Sequence, residues 1–559
     1  MENFNINQGV ASHQFDAIVV GSGISGGFAA KELSERGLKT LVIERGRNVE
    51  HIKDYPTAFL EPWQLNFSSH FNSNDPSQDP THGHFYVDKL KFPYEEEKPF
   101  NWVRGHQVGG RSLTWGRVCF RMSDLDFEGN IKDGVAIDWP IRYKDIAPWY
   151  DYVERIIGIS GSAEGNFVIP DGYLLPAMQM NCAEIFFKEQ ISKFFPERLV
   201  TIQRVANLTR ELNGRGPCQF RNRCKRGCPY SGYFSSNAVT LPAALRTGNM
   251  TMLTDAIVSK VIFDTTTRKA KGVEVIDVIT GKSTSFFAKI IFLNASAIST
   301  AALLLNSTCK DFPNGLGNSS GQLGHNLMDH FTGNGAEADL EGYLDKYYSG
   351  RRPCGIYIPR FRNVGEKVNH GFVRGYGIQG NARRIGWQEN SKNLPGFGVD
   401  FKSRVLKPGH WRIWLGSWGE TLSYYSNKIS LDSDKKDKWG QPIVKIHMEY
   451  HENERAMKSD INSSIPEMLE VAGFKNIDVY QGLDTPGSSV HEMGTARMGR
   501  DPRTSVLNKF NQMHDVKNIF ITDGSFMTSS GTANPSLTYM AFTVRAVDYA
   551  VRQIKKGNL

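Results

Sequence analysis

Three sets of residues in this chain have the types and spacing to do chemistry. The first is Gly21-Ser-Gly23-Ile24-Ser25-Gly26 followed by Glu44. Gly21 permits a tight turn, Gly23 a close backbone approach to a pyrophosphate, and Gly26 close packing of helix on strand. Glu44 lies 21 residues after Gly23, where an acid accepts from a ribose 2′-hydroxyl. An acid there favours FAD or NAD over NADP. The second set is His491 and Asn534, 43 residues apart. A histidine can be neutral at pH 7 and accept an alcohol proton. Asn534 can orient a hydroxyl but takes no proton. On its own, a lone histidine is more often structural than catalytic. The third set is Cys218, Cys224 and Cys228, a C-x5-C-x3-C cluster. Three thiolates this close could hold an iron–sulfur cluster. They are too few for a closed structural zinc site without help, and they could equally pack as a reduced loop.

The elements that would carry these groups can be read from pattern. Phe15–Val20 is a short apolar run bounded by glycine, the signature of a buried strand. Ile24, Phe28, Ala29 and Leu33 recur at helical spacing, and Gly37 can end that helix. A second strand runs from Lys39 to Ile43 and delivers Glu44. Strand, turn, helix, strand and acid fall in order, so the unit is expected to bind a dinucleotide, with phosphates at the helix N-terminus. Gly109-Gly110 before Ser112, Thr114 and Trp115 suits close approach to a flat or anionic ligand. Strands are expected over Thr251–Asp264, Ala270–Ile279 and Ile290–Asn294, with a helix then ending near Asn306. A further strand ends in Asp523-Gly524. Asn534-Pro535-Ser536-Leu537 opens a last helix to about Lys555, whose N-terminus offers positive potential to an anion such as a reduced flavin. Residues 51–100 have turn chemistry and read as a lid-like loop. From about 336 to 485 aromatics and alternating strands dominate, so a second domain built around a sheet is expected.

Bulk properties narrow the class. Net charge is +8 over 559 residues, a mild bias without the density of a nucleic-acid-binding surface. Seven cysteines make no disulfide scaffold. The longest apolar run, Ile290–Leu305, is too short and too polar to span a bilayer. The expectation is a soluble protein without a membrane span, cytoplasmic, or periplasmic if a leader was removed.

Seven segments occur in a telling order: GSGISGG, VGGRSLTWG, ASAISTAALLLNS, GQLGHNLMDH, HEMGTARMG, ITDGS and ANPSLTYMA. Through them the chain resembles the glucose–methanol–choline (GMC) family of FAD-dependent oxidoreductases, over nearly its whole length. GETLSYYSNKISLDSDKKDKWGQPIVKI is similar to the substrate-domain segment of the bacterial sugar dehydrogenases, glycoside 3-dehydrogenases and pyranose oxidases. The resemblance implies an α/β fold, α+β overall: a Rossmann-like FAD domain (1–165, 215–335 and 486–559) and a sheet-and-helix substrate domain (166–214 and 336–485). It implies that His491 is the general base and Asn534 its partner, with hydride passing from a sugar or glycoside carbon, C3 or C2 of a pyranose, to flavin N5. Oxidation at the anomeric carbon, a non-sugar alcohol and a pure electron-transfer subunit are the alternatives. His330 and Glu492 are the reserve candidates for the base.

The expected FAD contacts are Gly21, Gly23, Ile24, Ser25, Gly26, Glu44, Arg45, Gly109, Gly110, Ser112, Thr114, Trp115, Ala256, Val258, Asp523, Gly524, Asn534, Pro535, Ser536 and Leu537. Thr114 stands where some pyranose oxidases carry a flavin-linking histidine, so FAD is expected to be non-covalent. A [3Fe–4S] cluster on Cys218, Cys224 and Cys228 is not favoured. Oxygen, a quinone or a redox protein would accept the electrons. The rate is expected to rise with pH through one ionisation in the histidine range.

Overall fold

The computed structural model describes residues 13–65, 75–346, 352–365, 370–386, 394–482 and 485–559. Its first strand, β1 (Gln14–Val20), is flanked by β2 (Thr40–Ile43) and by the long strand Ser283–Leu293, both parallel to it. The helix between them, α1 (Ile24–Glu35), packs on this sheet and on the C-terminal helix Ser536–Lys555. Ala17, Ile18, Val19, Leu41 and Val42 are fully buried, as expected of parallel strands covered on both faces.

Strand Ser283–Leu293 branches the sheet. Its first half pairs antiparallel with Lys269–Asp277, which in turn pairs with Ala256–Asp264. Its second half pairs parallel with Ile519–Ile521. Met250–Leu253 closes the other edge against β2, giving seven strands. The parallel strands therefore end together. Gly21, Glu44, Asn294 and Thr522-Asp523 all follow strand C-termini at one edge, the place where open α/β sheets bind ligands.

A second sheet has six strands, in the order Lys475–Gln481, Phe331–Leu340, Trp411–Gly419, Tyr376–Arg384, Ile356–Ile358 and Thr201–Ile202, all antiparallel. Helix Glu452–Val471 packs on it through Met457, Ile461, Ile465 and Met468. The hairpin Lys428–Lys436 and Pro442–His447 forms a separate small sheet with Glu95–Glu96. That pairing fastens the end of the 51–100 segment. Residues 66–74 of that segment lie outside the described residues.

Several elements differ from the sequence reading. The stretch 251–264 is two strands broken at Thr254-Asp255, with Asp255 at a φ of +52°. The hairpin 428–447 was expected in the second-domain sheet and instead pairs with the cover segment. Strands Phe331–Leu340 and Tyr376–Arg384 were not anticipated, because glycine, asparagine and arginine interrupt their apolar alternation. Helix Cys182–Phe194 was missed as well. Its Asn181 cap accepts from Glu184 N at 3.1 Å, and the buried Glu184 carboxylate binds Arg352 and the Ala382 N–H of the sheet.

Candidate active site

A cavity of about 750 Å³ lies between the ends of the parallel strands and the second sheet. One end of it is built from the ends of β1 and β2 and the start of α1. A methyl group on Gly21 would stand 2.3 Å from Asn294 O, so only glycine fits there. A methyl on Gly23 would meet nothing within 4 Å and would project into the cavity. Helix α1 starts at Gly23 with no side-chain cap, so its N-terminal N–H groups are left for a ligand. Glu44 is buried and accepts from Ser22 N at 3.1 Å, Ser22 Oγ at 2.6 Å and Gly46 N at 3.0 Å. Burial raises its pKa above the usual carboxylate value, against those hydrogen bonds. Oε1, which among the described residues accepts only from Gly46 N, retains acceptor capacity for a ribose hydroxyl. The Arg45 guanidinium beside it lies 5.7 Å from the Phe92 ring centroid and 5.6 Å from that of Trp439, two rings that stack on each other, and 3.4 Å from Asp437.

Most of the expected cofactor contacts line this cavity: Gly21, Gly23, Ile24, Ser25, Glu44, Arg45, Gly110, Ser112, Thr114, Trp115, Ala256, Val258, Asp523, Gly524, Asn534, Pro535 and Ser536. Gly26, Gly109 and Leu537 do not. Gly26 packs against the backbone of Gly21, where a methyl would lie 1.8 Å from the carbonyl oxygen. Gly109 packs against the Asn237 side chain, and its N–H donates to Ser22 Oγ at 3.0 Å. Leu537 points into the core. These three support the site from behind.

His491 faces the cavity from the other end. The loop that carries it is fixed by Asp329, whose buried carboxylate accepts from Ser489 Oγ and, at 2.8 to 3.3 Å, from the N–H groups of Gly487, Ser489 and His491. His491 Nδ1 is 2.8 Å from His330 Nδ1, and His330 Nε2 is 2.9 Å from Gly531 O. Asn534 Nδ2 lies 3.5 Å from His491 Nε2, the outer limit of a hydrogen bond. Desolvation, then the neighbouring His330 and Arg111, hold the His491 pKa well below the ordinary histidine value. The ionisation therefore falls below the range expected from sequence. Desolvation also takes His330 down to about 4. Of the reserve bases, His330 turns its ring away from the cavity to His491 and Gly531. Glu492 is engaged by Arg111 at 2.8 Å.

The family assignment follows from sequence comparison. The GMC oxidoreductase N-terminal model matches residues 15–332 and its C-terminal counterpart residues 423–543. The chain belongs to the GMC oxidoreductase family. It is accordingly an FAD-dependent oxidoreductase acting on CH–OH groups. It is 29% identical to the 2-methyl-1,2-propanediol dehydrogenase of Mycolicibacterium austroafricanum, over 97% of this chain and 96% of that one. It is 25% identical to the fructose dehydrogenase large subunit of Gluconobacter japonicus, over 97% and 98%. Among solved structures, pyridoxine 4-oxidase from Mesorbium loti superposes with a TM-score of 0.59 at 17% identity, covering 96% and 99% of the two chains.

In this GMC oxidoreductase the cavity wall fits FAD. Among the described residues, six buried side-chain atoms on the wall have no hydrogen-bond partner in the protein: Arg45 Nε, Arg104 Nε, His106 Nδ1, Asn294 Nδ2, Glu492 Oε1 and Tyr539 Oη. Buried polar groups are normally satisfied, so such a set marks a polar ligand. The open face of Gly23 and the uncapped α1 agree with a dinucleotide there.

Sequence reasoning missed Gln379 and Trp418, which reach the cavity from the second sheet. The strand carrying Gln379 gave no clear alternation, and nothing in the chain order places it beside Asn534. Cys218, Cys224 and Cys228 are free, half-buried thiols. Desolvation raises the pKa of Cys218 to about 11 and also lifts that of Cys228. Among the described residues no group of three His, Cys, Asp or Glu is placed to hold a metal, and no helix is long and apolar enough to cross a membrane.

Proposed function

We propose that this enzyme oxidises a hydroxyl of a sugar or glycoside to the carbonyl, with His491 as general base. The observation that carries the reading is the His491–Asn534 pair on the cavity wall, with the histidine held neutral by burial. A neutral ring can take the hydroxyl proton, and Asn534 Nδ2 can donate to the same oxygen. Bound FAD supplies the hydride acceptor, at flavin N5. Gly21, Gly23 and Ser25 at the start of α1 would hold its pyrophosphate, Glu44 its ribose, and the Pro535-Ser536 helix start its flavin end. The FAD unit is taken as 1–165, 215–335 and 486–559, and the substrate unit as 166–214 and 336–485. Because Thr114 offers no linking nucleophile, FAD is bound non-covalently.

A sugar is supported by the wall that the second sheet contributes next to Asn534. Gln379 offers an amide and Trp418 a flat apolar face, the mixture of few polar groups and aromatic surface that orients a polyol. The fructose dehydrogenase relative acts in the same direction. A rival within the family is a small alcohol, in keeping with the propanediol dehydrogenase relative.

The test is anaerobic mixing of the holoenzyme with D-glucose, D-fructose, D-gluconate, methyl β-D-glucopyranoside and 2-methyl-1,2-propanediol, followed by product analysis. Bleaching of the flavin by a sugar or glycoside, with a ketone at C2 or C3, is the expected result. Reduction by the diol alone would replace sugar with a simple alcohol. No reduction by any hydroxyl compound would favour an electron-transfer subunit.

A further inference from the structure

The histidine and asparagine at the centre of the site are ambiguous groups. Neutral imidazole can present either nitrogen as acceptor, and an amide can turn its oxygen or its NH₂ to the cavity. Each is tied, through one or two buried side chains, to a backbone group that is not ambiguous.

The histidine arm ends at Gly531 O. A carbonyl only accepts, so His330 Nε2, 2.9 Å away, must carry a hydrogen. A neutral His330 then has a bare Nδ1. His491 Nδ1 lies 2.8 Å from it and must be the donor. That leaves His491 Nε2 with a lone pair toward Asn534 and the cavity.

The amide arm ends at Gly355 N. A backbone N–H only donates, so the Gln203 atom 2.8 Å from it must be the oxygen, Oε1. Gln203 Nε2 then donates to Gln379 Oε1 at 3.2 Å. Gln379 Nε2 donates in turn to Asn534 Oδ1 at 3.0 Å. Asn534 is left with its NH₂ turned to the cavity and to His491 Nε2. Gln203, Gln379 and His330 are buried, and neither Gln203 nor His330 lines the cavity. The two arms come from different parts of the fold. Gly355 and Gln203 lie at the edge of the second sheet, and Gly531 lies just before the C-terminal helix.

We propose that Gln203, Gln379 and His330 are positioning residues whose hydrogen bonds, directed from Gly355 N–H and Gly531 C=O, fix the active site in one order: His491 Nε2 as acceptor and Asn534 Nδ2 as donor. A hydroxyl entering between them meets one acceptor and one donor, the arrangement that aligns its O–H bond with the base. With the histidine arm reversed it would meet two donors, and the proton would have no path to His491; with the amide arm reversed it would meet two acceptors, and its O–H could turn to Asn534 instead of the base. This rests on the reading of His491 as the base, and it extends that reading to Gln203 and His330, which stand behind the cavity wall, and to Gln379, which lines it.

Two measurements test it. Neutron diffraction from deuterated holoenzyme should show deuterium on His491 Nδ1 and His330 Nε2, and the Asn534 ND₂ group directed at His491. Deuterium on His491 Nε2, with none on Nδ1, would overturn the proposal without any variant. The second is stopped-flow flavin reduction, using the compound of the panel above that reduces the wild type fastest. His330→Gln keeps a donor for Gly531 O and an acceptor for His491 and should retain the rate within about threefold. His330→Phe fills the space without either and should lose at least about tenfold, the scale of a lost hydrogen bond in the transition state. Gln203→Met should lower the reduction rate by roughly three- to tenfold with the substrate dissociation constant within about twofold. Equal rates for the Phe and Gln variants, or a wild-type rate for Gln203→Met, would show that these residues only fill space. His491→Ala in the same series separates the two ideas: loss there with no effect from either arm removes the ordering and leaves the base in place.

Discussion

His491 has little to stabilise a proton on its ring. It is enclosed at the cavity wall, backed by the neutral His330 and within the field of Arg111, whose charge Glu492 only partly answers. All three effects favour the free base and hold the pKa of the ring well below the ordinary histidine value. The sign follows directly. The rate of flavin reduction should be flat through neutral and mildly alkaline pH and fall only in acid, as the ring takes up the proton that disables it. A midpoint at or above 7 in the free enzyme would mean that the titrating group is not this histidine. His491→Ala should slow reduction by about 10²–10⁴-fold while FAD stays bound. Asn534→Ala should slow it less, and the acid limb should persist because the base is still there. Reduction of the His491→Ala protein at wild-type speed would move the base elsewhere.

At the scale of elements, β1, α1 and β2 form one unit, which in the proposed reading holds the cofactor. Gly23 has an ordinary negative φ and free space around its missing side chain, so Gly23→Ala should fold normally. Its methyl would occupy the close-approach surface at the helix N-terminus. The expected outcome is an unchanged thermal midpoint for the cofactor-free protein and a clear loss of FAD retention, read by flavin absorbance after gel filtration. Glu44→Ala should weaken FAD binding by about tenfold or more, since a hydrogen bond to a charged acceptor contributes about 1.5–3 kcal/mol. It also releases Ser22 and Gly46, so part of the effect would come through the turn. Undiminished flavin occupancy in both variants would place the adenosine elsewhere. The loop bearing His491 is a comparable unit, since one buried carboxylate, Asp329, gathers its N–H groups.

Over the whole molecule, the cavity needs both sheets. The parallel sheet supplies the end proposed to hold the cofactor, and the antiparallel sheet brings Gln379 and Trp418 to the cavity wall. The cover segment adds Pro76, Tyr86 and Phe92 and is tied down where Glu95–Glu96 pairs with the 442–447 strand. With Thr114 at the flavin end, acid or heat denaturation should release all the FAD into the supernatant. Flavin left on the precipitated polypeptide would contradict a non-covalent cofactor. The cysteine loop carries its own check. Metal analysis of chelator-washed holoenzyme is expected to find no stoichiometric iron, whereas about three irons per chain would establish a cluster on Cys218, Cys224 and Cys228.

Local chemistry was legible in the sequence wherever the structure is local. The GSGISG turn, its helix and Glu44 sit within one βαβ unit, where glycine conformation and apolar period act over a few residues and leave their mark in chain order. The start of the last helix at Asn534-Pro535-Ser536 was readable for the same reason. His491 could be named only through resemblance to a family, because a single histidine carries no period or cap. The tertiary structure decided what surrounds these groups. Gly26, Gly109 and Leu537 were read as cofactor contacts, yet they pack behind the wall, since spacing along a chain does not say which way a residue faces. Strand Tyr376–Arg384, which carries Gln379, and strand Phe331–Leu340 pair across gaps of dozens of residues, and their polar, glycine-rich pattern hid them. The depression of the His491 pKa, the link from Asn534 to Gln379, 155 residues away in the chain, and the link from Gln379 on to Gln203, 176 residues away, are properties of burial and long-range contact. Desolvation depends on what the fold excludes from a point in space, and no single segment of sequence records that.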